Sequence, residues 1–304
     1  MRRRNFLLGA AGAAFAQEPP IPIIDTHIHL FDTDRPGGVP WPPKTNKALY
    51  MPALPARYRK IAEPLGIVGA IEIEASPIVE DTQWVLDISA TDPIIVGTVG
   101  HLEPAQPDFR KFFDRFHKNP LFLGIRYGNL WGADLSDELA KPEFVSGLKV
   151  LADAGMVLDT ANPTPKLMAT VVRVTDRIPN LRVVLDHVPQ MDPRPAAESL
   201  KELVKRPQVY VKVSSVLRRV DGKVPEDLAF YRDRLDELFG LFGEDRLVYG
   251  SDWPNSDNWA PYPAVFHVVH EYFTAKGRPI AEKYFWKNSQ KAYRWKKRTA
   301  NQPG

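Results

Sequence analysis

The chain has 304 residues, 44% of them hydrophobic and 25% charged, which suits one large folded core and excludes an intrinsically disordered segment. Its formal charge is only +3, and Arg2, Arg3 and Arg4 alone account for that excess, so the rest of the chain is formally neutral and lacks the basic face that nucleic acid requires. There is no cysteine, which excludes disulfides and thiolate metal sites; any metal must be held by His, Asp or Glu.

Residues 1–16 place the arginines before an apolar stretch that ends in Ala14-Phe15-Ala16, the layout of an export signal cleaved after Ala16. The arginine pair followed by Asn5, Phe6 and Leu7 resembles a twin-arginine signal, so the protein is expected in a bacterial periplasm; the alternative is a short N-terminal anchor. The apolar run falls short of the ~20 residues of a membrane span, and no span is expected in the mature chain.

A proline-containing linker, 17–22, leads into the first strand-like run, Ile23–His29. Further strands are expected near Val68–Glu74, Ile94–Gly100, Leu121–Tyr127, Met156–Thr160, Arg182–His187, Val209–Ser214 and Leu247–Asp252. Helical patterns fall between and after them at Thr82–Ala90, Phe109–His117, Glu143–Ala154, Pro165–Arg177, Pro195–Lys205, Asp227–Leu241 and Pro263–Thr274. Such alternation predicts an α/β protein with one domain, a distorted (β/α)8 TIM barrel over 23–295, followed by a basic and polar tail, 296–304, expected to be solvated. The proline-rich stretch from Phe31 to Pro64 is expected to cross the barrel mouth, where Trp41, Tyr50, Met51 and Tyr58 either line a pocket or simply pack the loop.

In this fold chemistry sits at the C-terminal ends of the strands. His29, Glu74, Tyr127, Thr160, His187, Ser214 and Asp252 all fall there. Side chains two apart on a strand share a face, so His27 and His29 are expected to point into the barrel together with Asp25. Such a pair suits a divalent metal or a carbonyl oxygen. Asp252 at the end of the last strand is suited to act as a general base for water. No Gly-Xaa-Ser-Xaa-Gly elbow surrounds Ser214 or Ser215, and no phosphate-binding glycine loop is present.

The runs Ile24-Asp25-Thr26-His27-Ile28-His29, Leu185-Asp186-His187 and Gly250-Ser251-Asp252-Trp253-Pro254, in this order and spacing, resemble the amidohydrolase superfamily, in its lactonase-like branch. The resemblance also covers Gly124-Ile125-Arg126, Val211-Lys212-Val213-Ser214 and the closing Lys287–Tyr293 segment. It implies that His27, His29, His187 and Asp252 bind one divalent ion, zinc or manganese, with Asp252 activating water, or that the histidines contact the substrate carbonyl directly without metal. It implies hydrolysis of a small lactone or related C–O or C–N bond. A metal-dependent decarboxylase in the same barrel, and a non-catalytic exported ligand-binding protein, are the alternatives.

Two departures from the family pattern matter. Arg126 and Tyr127 stand where two-metal members carry a carbamylated lysine, which speaks against a binuclear centre, and Tyr127 replaces a histidine usual in the lactonase branch. Candidate substrate contacts are Arg126, Tyr127, Lys212, His101 and Trp253; Arg126 and Lys212 either grip a substrate carboxylate or pair internally with Glu72, Glu74 or Asp159. The expected partner is a small molecule, and the oligomeric state is left open.

Overall fold

The computed structural model describes residues 18–190 and 197–304. The expected export signal lies outside them, as do the first residues of the helix expected from Pro195. No helix among the described residues is long and apolar enough to cross a membrane.

Eight parallel strands follow one another around the sheet in chain order: β1 (Ile23–Ile28), β2 (Ile67–Ile73), β3 (Ile95–Gly100), β4 (Phe122–Arg126), β5 (Val157–Thr160), β6 (Arg182–Leu185), β7 (Val209–Val213) and β8 (Leu247–Tyr249). The barrel closes through two backbone hydrogen bonds, His29 N–H to the Trp253 carbonyl and Asp252 N–H to the His27 carbonyl, both 2.8 Å. The seam of the barrel therefore runs through three of the residues singled out for chemistry.

The helical layer comprises α1 (Pro55–Ala62), α2 (Val79–Thr91), α3 (Phe109–Phe116), α4 (Leu135–Glu138), α5 (Pro142–Asp153), α6 (Pro165–Arg177), α7 (Ala197–Val204), α8 (Leu228–Phe242), α9 (Tyr262–Thr274), α10 (Arg278–Glu282) and α11 (Asn288–Tyr293). Local chemistry explains their ends. α6 starts where the Thr164 hydroxyl accepts from Leu167 N–H at 3.1 Å and Pro165 supplies a ready-made helical φ. α8 starts where Asp227 accepts from Ala229 N–H and ends at Gly243, whose φ of 67° suits a residue without a side chain. α3 buries Phe109, Phe113 and Phe116, one face of a helical repeat, each ring contributing about 1.5–3 kcal/mol through burial.

Two apolar layers result. Ile24, Ile71, Val99, Leu123, Val157, Val184 and Val248 fill the barrel interior, joined by Tyr293 and Trp295 from the C-terminal segment. A larger shell packs the sheet against the helices.

The C-terminal tail corrects an expectation. Lys296 and Lys297 are exposed as expected, but the segment crosses the N-terminal end of the barrel and turns Arg298 and Gln302 inward. Arg298 donates to the carbonyls of Asp92 and Ala90, each at 2.9 Å, and of Ile95 at 2.6 Å. Gln302 donates to those of Val68 (2.9 Å) and Pro93 (2.8 Å). Unpaired carbonyls at the strand starts give the basic side chain more than water does. At the opposite end, the stretch after β1 contains α1 and brings Trp41 against the His29 ring, centroids 5.3 Å apart.

Candidate active site

His27, His29, His187 and Asp252 meet at the C-terminal mouth. One carboxylate oxygen, Asp252 Oδ1, faces the Nε2 atoms of His29 at 3.3 Å, His27 at 3.6 Å and His187 at 3.7 Å. The His27 ring lies 4.9 Å from His29 and 4.4 Å from His187, centroid to centroid. Gly250 makes room for this approach: a Cβ there would stand 2.8 Å from that of His27 and 3.1 Å from Lys212.

Each ring is held from behind. His29 Nδ1 lies 2.8 Å from the Ile73 carbonyl, His187 Nδ1 lies 2.8 Å from Ser214 Oγ and 3.1 Å from Ser215 Oγ, and His27 Nδ1 lies 3.2 Å from Lys212 Nζ. Asp252 Oδ2 accepts from the Ser215 hydroxyl and from Asn255 Nδ2, the latter at 2.8 Å. Oδ1 of Asp252 and Nε2 of His27 are buried and have no hydrogen-bond partner. Such buried unmet atoms are costly unless a ligand or reactant uses them.

The backbone is strained at the same place. His187, Ser215 and Asp252 adopt φ values of 54°, 50° and 65°, the left-handed region that costs a residue with a side chain on the order of 1–3 kcal/mol. That conformation turns the side chains back over the mouth.

Electrostatics separate the carboxylate from the rings. Burial alone would raise the Asp252 carboxyl, but the facing His187, His29 and His27 outweigh it and hold it well below the usual carboxylate range. Burial and the Lys212 ammonium keep His27 well below the usual imidazole value, against the pull of Asp186. Burial also lowers His187, against Asp252 and Asp186. At neutral pH the mouth thus holds an ionised carboxylate beside two rings, His27 and His187, that resist protonation.

Below the rings lies a buried ionic layer. Lys212 Nζ is 2.8 Å from Asp159 Oδ2 and 2.9 Å from Asp186 Oδ1, and Tyr293 donates to Asp159 Oδ2 at 2.8 Å. Arg126 donates through Nε to Glu74 Oε1 at 3.0 Å and through Nη2 to the Glu74 carbonyl at 2.9 Å, with Asp186 Oδ2 3.7 Å away. Trp131 Nε1–H donates to Glu74 as well. Of the two readings open for Arg126 and Lys212, internal pairing is the one observed.

Other expected contacts lie elsewhere. Tyr127 packs on Phe144 of α5 and hydrogen-bonds Glu103, which also faces His101 Nε2 at 3.2 Å, so Tyr127 and His101 form a separate cluster around Glu103. Trp253 packs on Tyr58 of α1, in the helical layer, because the positive φ of Asp252 turns the next side chain outward. Asp25 also points away from the interior, accepting from Tyr58 and Tyr262 of the helical layer at 3.0 and 2.8 Å. An irregular register between Asp25 and Ile28 breaks the simple alternation. Asn255 was not among the expected residues; its place three residues after Asp252 is the only sequence signal it carries.

The residues fit a divalent ion. His27, His29 and Asp252 each offer a ligand atom within 4.8 Å of the others, and two of those atoms are the unpartnered buried Nε2 and Oδ1. Two nitrogens and a carboxylate oxygen with room for a fourth group are a donor set suited to zinc or manganese.

The chain resembles known proteins over most of its length. An L-fucono-1,5-lactonase from Burkholderia ambifaria is 27% identical over 243 residues, covering 77% of this chain and 80% of its own, and one from Burkholderia multivorans is 23% identical over 279 residues, covering 86% and 92%. A crystal structure of an amidohydrolase from Burkholderia multivorans with bound zinc superposes with a TM-score of 0.80 at 21% identity, covering 90% of this chain and 99% of that one. The amidohydrolase family profile matches residues 24–295, so the chain belongs to that family and is an amidohydrolase-type hydrolase.

Proposed function

We propose that the protein opens the ring of a small, uncharged lactone, of the kind formed by a sugar acid, with Asp252 as general base. One observation carries the reading: an ionised carboxylate oxygen, itself unpartnered, faces three imidazole nitrogens at 3.3–3.7 Å while its second oxygen is pinned by Ser215 and Asn255. A binding protein has no use for that arrangement. The lactonase names of two relatives support the substrate class. The internal pairing of Arg126 and Lys212 supports an uncharged substrate, since neither cation is free for a carboxylate.

The steps follow from the geometry. Asp252 Oδ1 takes a proton from water as its oxygen bonds to the lactone carbonyl carbon. Negative charge moves to the former carbonyl oxygen, where the imidazole side of the mouth stabilises it. The ring C–O bond then breaks, and the proton returns from Asp252 to the departing alkoxide oxygen, leaving a hydroxy acid. A divalent ion held by His27, His29 and Asp252 would act as a Lewis acid on the same oxygen.

The test is a substrate panel of aldonolactones, aromatic carboxylic acids and amides on wild type and Asp252→Asn. Lactone opening should fall about 10²–10⁴-fold in the variant. Decarboxylation in the absence of lactone opening, or full activity in Asp252→Asn, would overturn the reading. The segment 1–16 supports export; periplasmic protein beginning at Gln17 is the expected outcome, and a retained Met1 would refute it.

A further inference from the structure

Three imidazoles face the same carboxylate oxygen, but their far nitrogens meet different partners. A carbonyl oxygen only accepts, so His29 carries its proton on Nδ1, toward Ile73, and presents a bare Nε2 lone pair. The Ser215 hydroxyl spends its proton on Asp252 Oδ2, so its oxygen accepts from His187 Nδ1–H, and His187 also presents a bare Nε2. His27 differs. Its Nδ1 lies 3.2 Å from Lys212 Nζ, and an ammonium has donors and no lone pair. A proton on His27 Nδ1 would set two donors against each other.

The competing group is Asp186. Its Oδ1 is ion-paired with Lys212 Nζ at 2.9 Å and stands 3.6 Å from His27 Nδ1, beyond hydrogen-bond length, while its Oδ2 has no hydrogen-bond partner. Lys212 is fixed between Asp159 and Asp186, fully buried, with its third proton aimed at His27. A metal-binding histidine needs the opposite arrangement, with a lone pair on the metal side and N–H toward a carboxylate.

We propose that Lys212 and Asp186 are opposed positioning residues that compete for His27 Nδ1. Lys212 holds His27 as an Nε2–H donor, able to hydrogen-bond the developing oxyanion. Asp186 is placed to accept Nδ1–H and so release the Nε2 lone pair to a divalent ion. The role at the oxyanion rests on the lactonase reading, whereas the tautomer and the metal affinity do not.

The experiment is histidine-ring ¹⁵N–¹H correlation NMR and zinc competition titration on chelator-treated full chain, with no substrate present. Wild type should show His27 protonated at Nε2, and His29 and His187 at Nδ1. In Lys212→Met/Asp159→Asn, which removes one charge of each sign, His27 should switch to Nδ1–H and zinc should bind about 10-fold or more tighter. In Asp186→Asn the Nε2–H form should persist and zinc affinity should fall about 10- to 100-fold. Opposite signs in the two variants are what a merely structural ionic layer would not produce. A wild-type His27 with Nδ1–H, a measurement that needs no variant to fold, overturns the proposal, as do zinc affinities that move in the same direction. If the NMR holds but no lactone is opened, the functional reading fails and this one stands.

Discussion

The two ends of the barrel are built on opposite terms. At the N-terminal end Arg298 and Gln302 spread their donors over six carbonyls of β2, β3, the end of α2 and the α2–β3 turn. At the C-terminal end Asp252 Oδ1 and His27 Nε2 are left bare, and His187, Ser215 and Asp252 sit in a costly backbone conformation. Satisfied polarity stabilises one end; unsatisfied polarity, held in place by strain, makes the other reactive.

The comparison breaks most sharply at Ser215 and Asn255. Both act on Asp252 Oδ2 and neither reaches the imidazole nitrogens that face Oδ1. A hydrogen bond to a charged group is worth about 1.5–3 kcal/mol, so Ser215→Ala should lower kcat about 10- to 100-fold, with KM little changed. Asn255→Ala should do the same more weakly. Melting temperatures should move little, and a large KM effect with kcat preserved would assign Ser215 to substrate binding.

At the opposite end the signs reverse. Arg298→Ala should destabilise the fold by about 2 kcal/mol, read by urea unfolding, and leave kcat/KM within a factor of two. An equal loss of activity at constant stability would mean that the two ends are not separate in function.

This division was only half visible in the sequence. His27, His29, His187 and Asp252 are legible because each ends an apolar strand, and strand ends at one rim of a closed sheet converge. Whether Arg126 was free or paired was not, since its partner Glu74 is 52 residues away and belongs to another strand. Parity along a strand predicts facing only while the register is even. It fails for Asp25, where β1 slips against β2, and for Trp253, where Asp252 takes a positive φ. The tail misleads for a different reason: Lys296, Lys297 and Arg298 look like a solvated basic cluster until the bare carbonyls that Arg298 caps are known.

One residue crosses the division. Glu72 is fully buried on β2, on the side of the helical layer, beside Thr98 and under a lid formed by the Arg35–Asp81 ion pair at 2.6 and 2.8 Å. Neither of its carboxyl oxygens has a side-chain or backbone hydrogen bond of normal length, and Thr98 Oγ1 is likewise unmet. Burial, reinforced by Glu74 and opposed by Arg126, pushes its carboxyl well above the usual range. The folded state therefore retains a proton that the unfolded chain loses near pH 4.5, and stability declines as pH rises from there toward the folded value. Glu72→Gln removes that ionisable proton while keeping the shape. It should raise the melting temperature by a few °C at pH 8 and by almost nothing at pH 4, where the wild-type side chain is neutral in both states. Lactone opening should be unaffected, because the residue faces α2 and not the mouth. A gain of equal size at both pH values would trace the strain at Glu72 to packing instead of charge, and would remove this site from the protein's pH response.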